Sequence, residues 1–149
     1  MKEKIASIID IWYKEWFRNE QLYNGWARQH GLNYNELFTL HVLHKTGGCT
    51  PSYIAQFLSI PKQTVNSLLG RLEKRGVIER LPLEEDKRSC LVRLTEEGGC
   101  WADEMLTELK KIEYRVFSSF TREELEAMID VNSRLTERFS QEMGGEDSL

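Results

Sequence analysis

The stretch from Gly47 to Gly76 constrains this 149-residue chain most, because its punctuation leaves few ways to fold it. Gly47-Gly48 closes one helical pattern, and Thr50-Pro51 opens the next with an N-cap and a proline at the first helical position. That helix is read as about 51–58, with Ile54, Ala55, Phe57 and Leu58 inward. Ser59-Ile60-Pro61 forms a tight turn, and a further helix runs from 61 or 62 to 75 with Val65, Leu68, Leu69 and Leu72 on one side. Gly76 sits where a left-handed residue ends a helix. Two alternating runs follow, Val77-Ile78-Glu79-Arg80-Leu81 and Cys90-Leu91-Val92-Arg93-Leu94, read as a hairpin whose loop, Pro82 to Ser89, is polar and charged.

Longer helices flank this unit. Residues 3 to about 29 form one helix in which Ile5, Ile8, Ile9, Trp12, Trp16 and Phe17 recur at three- and four-residue steps. Asn33 and Glu36 make a capping box for a helix of about 34–46, carrying Leu37, Phe38, Leu40, Val42 and Leu43. Thr95 caps a helix bearing Trp101, Met105, Leu109, Ile112, Val116 and Phe120, and Thr121-Arg122-Glu123-Glu124 starts a last one with Leu125, Met128, Ile129, Leu135 and Phe139. Residues 144–149 are expected to be a frayed tail. The fold class expected is mainly α with a small antiparallel β-wing: a winged helix-turn-helix flanked by N- and C-terminal helices. The aromatic load of the first helix, with three of the four tryptophans, leaves three readings open: a stripe docked on the core, a subunit interface, or a stacking site.

A short helix braces a second helix, whose N-terminal turns enter a DNA major groove in such folds. Opposite the apolar side of the second helix lie Lys62, Gln63, Asn66, Ser67, Gly70, Arg71 and Lys74. Gln63 and Asn66 offer both donor and acceptor to an adenine edge, and Arg71 suits a guanine or a phosphate. Thr64 and Ser67 suit a phosphate or a thymine methyl. Arg88 near the hairpin tip suits a minor groove, with Asp86 two residues earlier to hold its guanidinium.

Charge position supports this reading. The chain carries a net charge of −4, which alone leans away from nucleic acid. Yet residues 62–93 hold eight bases against five acids, so this unit is +3 and the remainder −7. No apolar run is long enough to span a bilayer, and no apolar segment follows the basic start, so the expected location is cytoplasmic. Cys49, Cys90 and Cys100, with no CxxC spacing, fit free thiols. Cys49 lies near a helix N-terminus, a place that can lower a thiol pKa, but a buried or inert thiol is the favoured reading for each of the three. His41 and His44 are three apart but lack further ligands, so no metal and no cofactor is expected. There is no phosphate-cradling glycine loop and no nucleophile, base and acid arrangement, which argues against an enzyme.

From about Leu32 to Gly98 the chain resembles the MarR family of bacterial transcriptional regulators. The residues that carry the likeness are Gln63-Thr64-Val65-Asn66, Leu72-Glu73-Lys74-Arg75-Gly76-Val77-Ile78-Glu79-Arg80, Asp86-Lys87-Arg88 and Leu94-Thr95-Glu96-Glu97-Gly98. The resemblance implies a homodimer in which Trp12, Trp16, Trp101 and Phe139 lie at the interface, and a pseudo-palindromic operator read by one helix per half-site. Many members carry Arg where this chain has Ser67, so operator sequence does not carry over. The implied organisation is a single domain over 1–149: a DNA-binding region at 32–98, dimerisation helices at 1–30 and 99–143, and the tail. The implied DNA contacts are Ser52, Lys62, Gln63, Thr64, Asn66, Ser67, Arg71, Asp86, Lys87 and Arg88, with the helix of about 61–75 in the major groove and the wing, 82–89, in the minor groove. A repressor relieved by a small aromatic or phenolic effector is expected, with Trp12, Trp16, Phe38 and His41 near the effector cleft. Two alternatives stand beside this: a protein-binding winged helix without DNA, and a thiol-based redox sensor.

Overall fold

The structure, a computed structural model, describes residues 2–83 and 90–144. Six helices and one hairpin follow in chain order: α1 Lys2–Gln29, α2 Tyr34–Thr46, α3 Pro51–Leu58, α4 Lys62–Lys74, β1 Ile78–Pro82, β2 Cys90–Leu94, α5 Glu96–Phe117 and α6 Arg122–Glu142. The chain divides into two compact units, one up to Leu106 and one from Thr107 onward.

In the first unit the helix ends are set by local chemistry. Asn33 accepts from the Glu36 amide while the Glu36 carboxylate accepts from the Asn33 amide, so two otherwise unpaired donors at the start of α2 are satisfied. Thr50 accepts from the Tyr53 amide and Pro51 fixes the first turn of α3. The ends of α1 and α4 are built alike. Leu32 N donates to Ala27 O, and Val77 N to Leu72 O, each through a glycine at positive φ, Gly31 at 71° and Gly76 at 71°. Helix α3 ends the same way, with Ile60 N donating to Ala55 O, but its left-handed residue is Ser59, at φ 52°.

These caps turn three helices onto one another. Leu37, Leu40, Leu43, Ile54, Val65, Leu68, Leu69, Leu72 and Val92 are fully buried and form the centre of the unit. Each such side chain removed from water contributes roughly 1.5–3 kcal/mol. The expected inward position of Phe57 is corrected: Ile54 and Ala55 take the buried side of α3, and Phe57 is 52% exposed. An eight-residue helix buries only a narrow stripe.

The hairpin pairs Ile78 with Leu94, Arg80 with Val92 and Pro82 with Cys90, one residue later on β1 than the alternation suggested. It gains a third member that periodicity does not reveal. Cys49, between α2 and α3, exchanges both backbone hydrogen bonds with Val92, at 3.0 and 2.8 Å. The root of the wing is thereby joined to the helical core. The polar tip, 84–89, lies outside the described residues, and so does the tail beyond Gly144.

Much of α1 is uncovered. Ala27 is buried and Tyr23 and Trp26 are half-buried, but Ile5, Ile8, Ile9, Trp16 and Phe17 are exposed. The docked-stripe reading therefore holds only for the last two turns.

In the second unit α6 starts with the Thr121–Glu124 capping box. It buries no residue: Met128, Ile129, Leu135 and Phe139 are all exposed. Phe120, assigned to the preceding helical stripe by its spacing, lies in the turn after α5 ends at Phe117.

Candidate nucleic-acid interface

The buried side of α4 fixes what its other side presents. Val65, Leu68, Leu69 and Leu72 face the core, so Lys62, Gln63, Thr64, Asn66, Ser67 and Lys74 are exposed together along the helix. Among the described residues none of these side chains has a hydrogen-bond or ion-pair partner. A row of unpaired amide, hydroxyl and ammonium groups on a rigid helix is ready to exchange water for another polar surface. At the start of α4, Pro61 supplies no side-chain cap, and the first helical bond is Val65 N to Pro61 O. The amides of Lys62, Gln63 and Thr64 therefore point out of the helix at its positive end, where a phosphate is favoured. Ser52, near the start of α3, is exposed as well.

Arg71 behaves differently from its neighbours. Its Nε donates to Glu36 Oε1 at 2.8 Å, and the carboxylate is almost wholly enclosed while the guanidinium is half-exposed. One turn on, Arg75 donates from Nη1 to Gly31 O at 2.8 Å and lies 5.4 Å from the centre of the Trp101 ring. Arg80 pairs with Glu73 at 3.4 Å and Arg93 with Glu79 at 2.6 Å. Every described arginine of the basic unit is thus engaged within the chain; Arg71, Arg80 and Arg93 are ion-paired, Arg75 is held by a carbonyl and a ring, and Lys62 and Lys74 have no such partner among the described residues. Glu73 and Glu79 are already counted in the +3, whereas Glu36, the partner of Arg71, lies outside it and takes up one further positive charge. Asp86, Lys87 and Arg88 lie outside the described residues.

Several residues escaped the sequence reading. Glu36 was legible as a capping residue, but nothing in the sequence connects it to Arg71, thirty-five positions away. Tyr53, beside Ser52 and half-exposed, was not singled out. The motif Leu94-Thr95-x-x-Gly98 gains a physical meaning. Thr95 Oγ1 donates to Gly76 O at 2.7 Å and accepts from Gly98 N at 2.9 Å, so one side chain seats both the end of α4 and the start of α5.

The four residues expected near an effector cleft fall into two pairs. Trp12 and Trp16 meet edge-on at 5.0 Å on α1. Phe38 and His41 lie together on α2, with Phe38 against Tyr23 at 5.7 Å. Tyr23 is about 10 Å along α1 from Trp16 and about 16 Å from Trp12, from the helical rise. Trp101, expected at the subunit interface, packs on Arg75.

His44 hydrogen-bonds Asp103 at 3.1 Å, and no group of three metal-ligating side chains occurs among the described residues. At Cys49 the inert-thiol reading is supported over the lowered pKa that a helix N-terminus would give. Burial pushes that thiol up, and the hydrogen bond from Thr46 offsets this only in part. The Cys49 backbone is taken up in the bridge with Val92, and one amide at the start of α3, that of Tyr53, is capped by Thr50.

Three helices, a tight left-handed turn and a sheet-rooted hairpin define a winged helix-turn-helix protein. The MarR family model matches residues 30–89. The transcriptional repressor MdtR of Bacillus subtilis is 30% identical over 107 residues, covering 72% of this chain and 69% of that protein. The chain belongs to the MarR family. The regulator PecS of Dickeya dadantii is 34% identical over 96 residues, 62% of this chain, but the match spans only 58% of PecS. Among solved structures, a MarR family regulator from Neisseria meningitidis is 27% identical with a TM-score of 0.67, covering 94% of this chain and 96% of that one. The Staphylococcus aureus MepR–DNA complex, 24% identical over 88% of this chain and 95% of that one, has a TM-score of 0.72 and supports the fold.

Proposed function

We propose that the protein is a sequence-specific double-stranded DNA-binding transcriptional regulator. The observation that carries this reading is the exposed, unpartnered face of α4, where Gln63, Thr64, Asn66 and Ser67 stand over a wholly buried apolar side. In this reading α4 enters the major groove, Ser52 and Lys62 meet phosphates, and Lys87 and Arg88, braced by Asp86, reach the minor groove from the wing. Residues 32–98 form the DNA-binding region of a domain spanning 1–149. The helices of 1–30 and 99–143 join two copies, which read a pseudo-palindromic operator. The uncovered apolar ridges of α1 and α6 support the homodimer.

Repression relieved by a small aromatic or phenolic effector is the mode of action we favour, and the name of the MdtR relative supports repression. The effector cleft would centre on Phe38 and His41, with Trp12 and Trp16 brought in from α1. The named relatives are transcriptional regulators, which supports a function without catalysis. No helix among the described residues is long and apolar enough to cross a membrane, which agrees with a cytoplasmic place of work.

Selection of bound duplexes from random DNA tests the function. Enrichment of an inverted repeat that the protein binds more weakly as salt rises is the expected result. Failure to retain any duplex at low ionic strength would leave the protein-binding winged helix as the better account.

A further inference from the structure

We infer that Glu36 is a positioning residue that presents Arg71 to the DNA backbone, an inference that rests on the DNA-binding reading of α4. Glu36 is 5% exposed, in the first turn of α2. Its two carboxylate oxygens are used differently. Oε2 accepts from the Asn33 amide at 3.0 Å, which anchors the side chain to its own helix end. Oε1 accepts from Arg71 Nε at 2.8 Å. An enclosed carboxylate held at both oxygens is a rigid mount.

The guanidinium mounted on it is not used up. Of its five N–H donors, the bond to Glu36 takes one, on Nε, and the side chain remains 54% exposed. Arg71 also stands in line with Thr64 and Ser67, since steps of three and four residues place all three on one strip of the helix surface. The strip runs from the open amides at the start of α4 to this arginine. A planar fork fixed at Nε loses less freedom on meeting a phosphate than an unrestrained arginine does.

A second tether makes the mount firmer. Arg75, one turn on, donates to Gly31 O at 2.8 Å, in the loop that leads into the Asn33–Glu36 box. Helix α4 is therefore held to the α1–α2 junction at two successive turns. Arg75 takes up a backbone carbonyl and a tryptophan face, whereas Arg71 keeps its outward donors.

A double-mutant cycle on affinity for a duplex selected by the wild-type protein tests this. Glu36→Gln retains an acceptor for the capping box but loses the charge that holds Arg71. The expected result is a loss of about tenfold for Arg71→Ala, with a salt slope shallower by about 0.9. Glu36→Gln should lose about three- to tenfold in the wild-type background and nothing further in Arg71→Ala. Arg71→Lys, which keeps the charge but has no Nε fork, should fail to restore wild-type affinity. An equal loss from Glu36→Gln in both backgrounds would show a purely structural role and overturn the inference. So would unchanged or tighter binding by Glu36→Gln, full rescue by Arg71→Lys, or unchanged binding by Arg71→Ala. A wild-type protein that binds no duplex would instead overturn the DNA-binding reading itself.

Discussion

Two helical glycines, replaced by the same residue, should shift stability in opposite directions. Gly98 lies in the first turn of α5, packed against the start of β1. A Cβ there would lie 2.7 Å from the Val77 carbonyl carbon and 2.8 Å from its Cα, and would overlap the carbonyl oxygen. Carbon atoms pack at about 3.5–4.0 Å, so roughly 1 Å must be opened. The backbone that would have to move is pinned. Val77 O accepts from Thr95 N at 3.1 Å, and Val77 N donates to Leu72 O at 3.0 Å. Overpacking costs about 1–3 kcal/mol, and one or two weakened backbone bonds add about 1 kcal/mol each. The helical preference of alanine over glycine returns about 0.5–1 kcal/mol. The net expectation for Gly98→Ala is a loss of about 2–4 kcal/mol, or a melting temperature lower by about 5–15 °C. Gly70, inside α4, has nothing within 4 Å of the same added atom. Gly70→Ala should keep the helical gain and melt about 1–4 °C higher. Thermal unfolding followed by far-ultraviolet circular dichroism, at matched protein concentration, measures both. A Gly98→Ala variant that melts within about one degree of wild type would refute the close-packing argument.

Lys62→Ala and Lys74→Ala should each make the dependence of DNA affinity on salt shallower by about 0.9, whereas Arg93→Ala, which lies on β2 and not on the α4 strip, should leave the slope nearly unchanged. Binding titrations over a salt series decide between them. In a Cys90→Ser/Cys100→Ser variant, the remaining Cys49 should be alkylated slowly near neutrality, with a rate that rises through a midpoint above the ordinary thiol value, because burial disfavours the thiolate. A midpoint below that of free cysteine would restore the redox-sensor reading. Ile8→Asp, on the exposed ridge of α1 at 64% exposure, should shift sedimentation toward the monomer and cost little in the fold of the first unit. Unchanged sedimentation would remove that ridge from the dimer interface.

The helices were legible in the sequence because their ends are chemically marked. Asn33 with Glu36, Thr50 with Pro51, and Thr121 with Glu124 each specify a start that the structure reproduces. The buried side of α4 followed from period alone, since Val65, Leu68, Leu69 and Leu72 repeat at helical steps. What was not legible depends on pairs distant in sequence. The ion pair of Arg71 with Glu36 is invisible to a charge count over residues 62–93, because its acid lies outside that segment. The pairing at Cys49 is a single bridge, too short for an alternating pattern. Phe57 was placed inside by its hydrophobicity, a rule that runs one way only, since many apolar side chains stay at the surface.

The bridge between Cys49 and Val92 bears on the order in which the chain acquires its form. The β1–β2 hairpin closes a short loop, but the bridge joins backbone roughly forty residues apart. Closing that span in an unfolded chain costs entropy that two hydrogen bonds do not return. Once α2, α3 and α4 have packed and β1 has followed from the end of α4, Cys49 is fixed and much of that cost has been met by the leucine core. The expected order is therefore that the helical trio forms first and the bridge closes late, which low φ-values at Val92 against higher ones at Leu40 and Leu69 would check. A lock added after the barrier slows escape without speeding entry, so this small sheet bears on the lifetime of the native unit more than on its rate of formation.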